Sequence, residues 1–244
     1  MQLLATAAGL SLVGSLGGLV VASALLPLPA ALRHRIVPSL LSYAVGTLLG
    51  VALLALVPEA LSQLAPVPVF SALLAGILAL FVVEKLVLWR HCHTEDCDVH
   101  DASATLILIG GAVHNLADGA VIAASVFVSV PLGISTALAV AAHQIPQEVG
   151  DFAILLNAGF SRRRALLLNA LSASSAAVGA VVVYAAAEVM PDALPYLLAL
   201  AAGSFLYVAM ADLIPHLHRG ETIGSSAVRQ IALIVAGVGT ILAL

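Results

Sequence analysis

Long apolar stretches, broken only by short polar punctuation, fill this chain from end to end. A helix needs roughly 20 mostly apolar residues to cross a bilayer. Eight stretches meet that length, at 3–26, 38–58, 69–89, 104–128, 132–157, 165–187, 194–214 and 227–244. The pattern predicts an all-α integral membrane protein, a single eight-helix transmembrane domain over residues 1–244. Its connections are too short to hold a second domain.

Composition agrees. Hydrophobic residues make up 62% and charged residues 9%, where soluble domains carry roughly a quarter charged. The 19 Gly and 11 Pro are scattered through the apolar runs, where neighbouring helices can re-satisfy freed backbone groups. The first 25 residues are apolar without a basic leader, and read as a span, not a cleaved signal. A net charge of -4 with only nine dispersed Lys and Arg argues against nucleic acid as a partner.

Charge placement predicts orientation, because short cytoplasmic loops collect Lys and Arg. Arg33 and Arg35 fall between spans 1 and 2, Lys85 and Arg90 at the end of span 3, Arg162, Arg163 and Arg164 between spans 5 and 6, and Arg219 and Arg229 between spans 7 and 8. All nine share one side, and the other carries Glu59, Glu188 and Asp192. Both termini are therefore expected outside. Segment 91–101 between spans 3 and 4 gathers His91, Cys92, His93, Cys97 and His100 among four carboxylates. On this topology its thiols stay reduced, so it reads as a secondary metal-binding loop or as a solvated turn with incidental ligands.

Two polar clusters interrupt the greasy helices, and they carry the functional argument. In span 4, His114, Asn115 and Asp118 include an i, i+4 pair on one helix face. In span 5, His143, Gln144, Gln147 and Glu148 follow i, i+1, i+4, i+5, and Pro146 between them frees the carbonyl of Ala142. An ionisable side chain at bilayer depth is costly and faces a partner, a cation or water. Imidazole with carboxylate and amide oxygens suits a divalent metal, while a polar network gluing helices together is the bland alternative. Lesser candidates are Asp212 before Pro215, His216 and His218, the neighbours Glu84 and Lys85, and the outer carboxylates.

His114-Asn115-x-x-Asp118-Gly119 followed by His143-Gln144-Ile145-Pro146-Gln147-Glu148-x-Gly150-Asp151 resembles the ZIP (Zrt/Irt-like) family of divalent metal transporters. Val57-Pro58-Glu59-Ala60, Asn157-Ala-Gly-Phe160, Phe205-Leu-Tyr-Val-Ala209 and Asp212-Leu-Ile-Pro215 extend the likeness over most of the chain. The resemblance implies adjacent metal sites between helices 4 and 5, formed by His114, Asn115 and Asp118 with His143, Gln144, Gln147 and Glu148. Gln144 and Gln147 stand where one branch of that family has Glu and His, and an amide is the poorer zinc ligand.

The expectation is a single transporter domain, a carrier importing a divalent metal, Zn²⁺ first and Cd²⁺, Fe²⁺ or Mn²⁺ besides, across the plasma membrane. Metal is its cargo, with no resident cofactor and no enzymatic role, and its partners are metal ions, lipid and a second copy as a homodimer. The competing readings are a metal-responsive sensor without flux and an intramembrane metallo-hydrolase. The hydrolase lacks the His-Glu-x-x-His signature, since 143–147 reads His-Gln-Ile-Pro-Gln.

Overall fold

The computed structural model describes residues 1–89, 99–218 and 225–244, which are almost all helical with no strand among them. Helix α1 is Gln2–Leu25. Helix α2 is a continuous rod of Ala30–Gly50, a π-helical stretch Val51–Leu56, and Val57–Gln63. Helices α3 to α6 are Pro66–Trp89, Val99–Val128, Val130–Asn157 and Arg162–Val189. Helix α7 begins with the 3-10 turn Pro191–Ala193 and continues as Leu194–Tyr207, a second π-helical stretch Val208–Leu213, and Ile214–His218. Helix α8 is Ser225–Leu242.

Six of these helices, α1 to α4, α6 and α7, are long and apolar enough to cross a membrane, and α8 is a shorter apolar helix. Helix α5 has 28 residues, a length of roughly 42 Å at 1.5 Å per residue. Its His, Gln, Glu and Asp residues dilute its apolarity, and contacts to α1, α2, α4 and α6 surround it. The helices also start earlier than the apolar stretches. Arg33 and Arg35 lie in the first turns of α2, where the Arg33 guanidinium donates to the Leu26 carbonyl at 3.1 Å. Arg162, Arg163 and Arg164 form the first turn of α6, behind the N-cap Ser161. Cations are disfavoured at a helix N-terminus, so helix energetics do not account for these arginines.

Packing divides the bundle in two. Helices α1, α4, α5 and α6 pack on one another, α3 packs on α7 and α8 on α2, and the two groups meet mainly where α2 crosses α5. Small residues set the tightest crossings. A Cβ on Gly119 would run into the carbonyl of Ala176 and one on Gly179 into that of Leu116, so α4 and α6 touch backbone to backbone at a reciprocal glycine pair. Gly76 and Gly203 do the same for α3 and α7. Such close approach is how helices associate where lipid removes the hydrophobic drive.

The main apolar core occupies one half of the bundle, built from Leu48, Leu56, Ile122, Val126, Val140 and Leu198 among others. The other half, toward the ends bearing Arg35 and Arg229, contains a cavity of ≈ 1570 Å³. The polar clusters of α4 and α5 lie where the packed half meets this cavity.

Candidate metal centre

Helix α4 places His114 and Asp118 one turn apart, and α5 supplies His143 across from them. The His114 Nε2 and His143 Nε2 atoms are 3.1 Å apart, and the Asp118 carboxylate oxygen Oδ2 lies 3.4 Å from the first and 3.3 Å from the second. Asp118 and His143 are buried and His114 is partly exposed. These three are the group of His, Cys, Asp or Glu ligand atoms close enough to share one ion among the described residues.

The spacing decides what such a group can hold. Zinc binds His nitrogen and carboxylate oxygen at about 2.0–2.1 Å in a tetrahedron, whose edges are then about 3.3–3.4 Å. The observed triangle already has nearly that size, so a zinc ion needs only small adjustments to reach all three atoms and leave a fourth vertex open. His143 is also oriented for the task. Its Nδ1 lies 3.1 Å from the Ala139 carbonyl, an oxygen that can only accept, so Nδ1 carries the proton and Nε2 turns its lone pair to the site. Backbone support of this kind fixes the tautomer of metal-binding histidines. The aromatic ring of Phe205, on α7, packs against His143 with centroids 6.1 Å apart.

The remaining nominated residues take different positions. Asn115 is buried and donates from Nδ2 to the Gly111 carbonyl at 2.8 Å. Gln144, fully buried, donates from Nε2 to Asn115 Oδ1 and, at 3.2 Å, to Asp118 Oδ2. Its own Oε1 has no partner, and neither has Oε2 of the buried Glu148. Helix α5 thus shows two faces: Gln144 and Glu148, one turn apart, are enclosed, while His143 and Gln147 line the cavity. The helix runs unbroken through Pro146. His91, Cys92, His93 and Cys97 fall outside the described residues, and of His100 only the helical backbone in α4 is described.

The cavity runs from His114 and His143 past Gln147 and Asp151 to Arg35 and Arg229. A second, smaller void of ≈ 110 Å³ touches His114 and Asp118 and is otherwise lined mostly by apolar side chains such as Val121, Leu197 and Phe205. The cavity wall carries a contact invisible in the sequence: Tyr207 of α7 donates its hydroxyl to Glu84 of α3. Lys85, next to Glu84, instead rests its ammonium 5.5 Å over the Phe81 ring. Asp212 and His216 lie on the same cavity wall.

In this helical membrane bundle, two histidines and one carboxylate at the inner end of a cavity offer the ligands a metal ion takes. Residues 90–244 match the ZIP zinc transporter family, and the chain belongs to that family. It is 47% identical over 110 residues to the zinc transporter ZIP4 of Homo sapiens, covering 45% of this chain and 17% of the relative. To the zinc transporter ZIP13 of Pongo abelii it is 32% identical over 216 residues, 82% of this chain and 64% of the relative. To the zinc transporter YKE4 of Saccharomyces cerevisiae it is 30% identical over 208 residues, 73% and 60% respectively. The chain spans only 14% of the length of the Danio rerio zinc transporter ZIP10, to which it is 39% identical over 119 residues.

Proposed function

We propose that this protein is a secondary carrier that imports a divalent metal, zinc foremost, into the cytoplasm across the plasma membrane, through a midplane site between α4 and α5. One observation carries the reading. Three donor atoms spaced like the edges of a zinc tetrahedron stand at the inner end of a cavity that reaches the end of the bundle rich in arginine. By the positive-inside rule that end is cytoplasmic, both termini lie outside, and all eight helices span. His114, His143 and Asp118 hold the ion, and Gln147 or water from the cavity completes its shell. In this reading Val121, Leu197 and Phe205, which line the small void beyond the site, form the outer seal.

Moving the ion requires that seal to open as the cavity closes. The two helix groups supply the means, since α1, α4, α5 and α6 form one packed body that can rock against α2, α3, α7 and α8 around a midplane site. The ligating atom must be deprotonated to bind metal, so loading releases any proton held on Nε2 of His114 or His143, while the Nδ1 proton of His143 stays in place, donated to the Ala139 carbonyl. Cd²⁺, Fe²⁺ and Mn²⁺ are the further cargo, and Asp151, Asp212 and His216 on the cavity wall are stations on the way out.

Proteoliposomes containing the purified chain and an internal zinc indicator test this. Externally added Zn²⁺ should enter in the wild type and fail to enter in the His114→Ala/Asp118→Ala variant. Equal uptake by the two would refute the assignment of the site.

A further inference from the structure

We propose that the amide of Gln144 takes the place of a second cation, so that this centre binds one divalent ion at a time. The inference rests on the carrier reading above and concerns how many ions its site accepts. Asn115, Asp118 and residue 144 meet beside the two histidines, with Gln144 Nε2 in contact with both Asn115 Oδ1 and Asp118 Oδ2. With a carboxylate at 144, as the resemblance would have it, three oxygen-bearing side chains would face one another there and call for a cation. In this chain they face an NH₂ group.

The direction of the hydrogen bonds follows from what each partner can do. The Gly111 carbonyl can only accept, so the Asn115 amide must present Nδ2 to it, as observed at 2.8 Å. Asn115 Oδ1 is then left facing Gln144 as an acceptor. The carboxylate oxygen of Asp118, 3.2 Å from Gln144, is an acceptor as well. Two acceptors on one side require two donors on the other, and the Gln144 Nε2 protons supply both.

Gln144 keeps this orientation although its Oε1 is left without a partner. The residue is also held from behind, because a Cβ on Gly18 of α1 would lie 2.6 Å from the Gln144 Cβ. Turning the amide over to offer oxygen to a second ion would break both donated bonds and aim Nε2 away from its acceptors. The same Asp118 Oδ2 that faces the two histidines also accepts from the amide of Gln144. Gln144 is thus a positioning residue for Asp118 and the determinant of a one-ion centre.

The test counts ions. The full-length wild type, His114→Ala/Asp118→Ala and Gln144→Glu are purified, dialysed to equilibrium against Cd²⁺, and assayed by mass spectrometry for Cd²⁺ per chain. Ions held by segment 91–101 are common to all three and cancel in the differences. Wild type should hold one ion more than the double variant, and Gln144→Glu one ion more than wild type. A difference of two between wild type and the double variant would overturn the one-ion centre while leaving the carrier site intact. No difference would overturn the site itself and this inference with it. A folded Gln144→Glu protein that gains no ion would also overturn it, and if that variant does not fold, the wild-type difference still decides.

Discussion

Replacing Gly18 by alanine tests whether the packing behind α5 sets the geometry of the metal centre. The added Cβ would stand 2.6 Å from the Gln144 Cβ, and ordinary contact begins at 3.4 Å, so α1 and α5 must part by about 0.8 Å. If α5 yields, His143 and Gln144 move with it toward α4. Metal-ligand distances tolerate about 0.2 Å, so a displacement several times larger spoils the triangle of His114, Asp118 and His143. Overpacking of this kind costs about 1–3 kcal/mol, and disturbing the groups that orient metal ligands typically lowers affinity about 10–100-fold.

Gly17 provides the matched control, because a Cβ there meets nothing within 4 Å. Both changes raise helix propensity by about 1 kcal/mol, so propensity cancels in the comparison. Thermal unfolding in detergent and concentration-dependent Zn²⁺ uptake into proteoliposomes are the readouts. Gly18→Ala should melt earlier and need at least about tenfold more zinc for half-maximal uptake, with Gly17→Ala indistinguishable from wild type. If the two variants behaved alike, the claim that α1 braces the centre would be wrong.

Three further outcomes follow from the same geometry. Phe205 is 2% exposed and packs on His143, so Phe205→Ala should lower stability by about 3–5 kcal/mol and let ions through the outer seal; calcein-zinc leakage at wild-type level would contradict that role. Tyr207→Phe removes the hydroxyl that Glu84 accepts, at a cost of about 1 kcal/mol; a small downward shift in melting with uptake retained is expected, and abolished uptake would give the pair a chemical role. In α8, a Cβ on Gly237 would collide with the backbone of α2 at Tyr43 and Thr47, while one on Gly239 meets nothing. Gly237→Ala should therefore reduce folded yield in size-exclusion profiles where Gly239→Ala leaves it unchanged.

The helical class was legible in the apolar pattern, because hydrocarbon leaves the backbone few alternatives to helix. The i, i+4 spacing of His114 and Asp118, and the doublets His143-Gln144 and Gln147-Glu148, likewise announced a polar centre on α4 and α5. What the spacing could not decide was which member of each doublet points where. Only the packing of α1 against Gln144 and of Phe205 against His143 turns one face inward and the other to the cavity. Tertiary partners distant in sequence stayed hidden for the same reason: Glu84 was readable as a neighbour of Lys85, yet its partner Tyr207 lies 123 residues away. The reciprocal glycines were visible as small residues, but their pairing is a property of how helices cross. Helix starts are not readable from the apolar runs, because Arg33, Arg35 and Arg162 to Arg164 look like loop residues, while Pro29 and Ser161 begin the helices ahead of them.

Cadmium bound to the purified protein and located by its anomalous diffraction shows whether His114, Asp118 and His143 hold a metal ion. One peak is expected between α4 and α5, within direct bonding distance of His114 Nε2, His143 Nε2 and the Asp118 carboxylate, and none between Asn115 and Gln144. A cadmium-loaded crystal with no peak at the two histidines would contradict the assignment of the site.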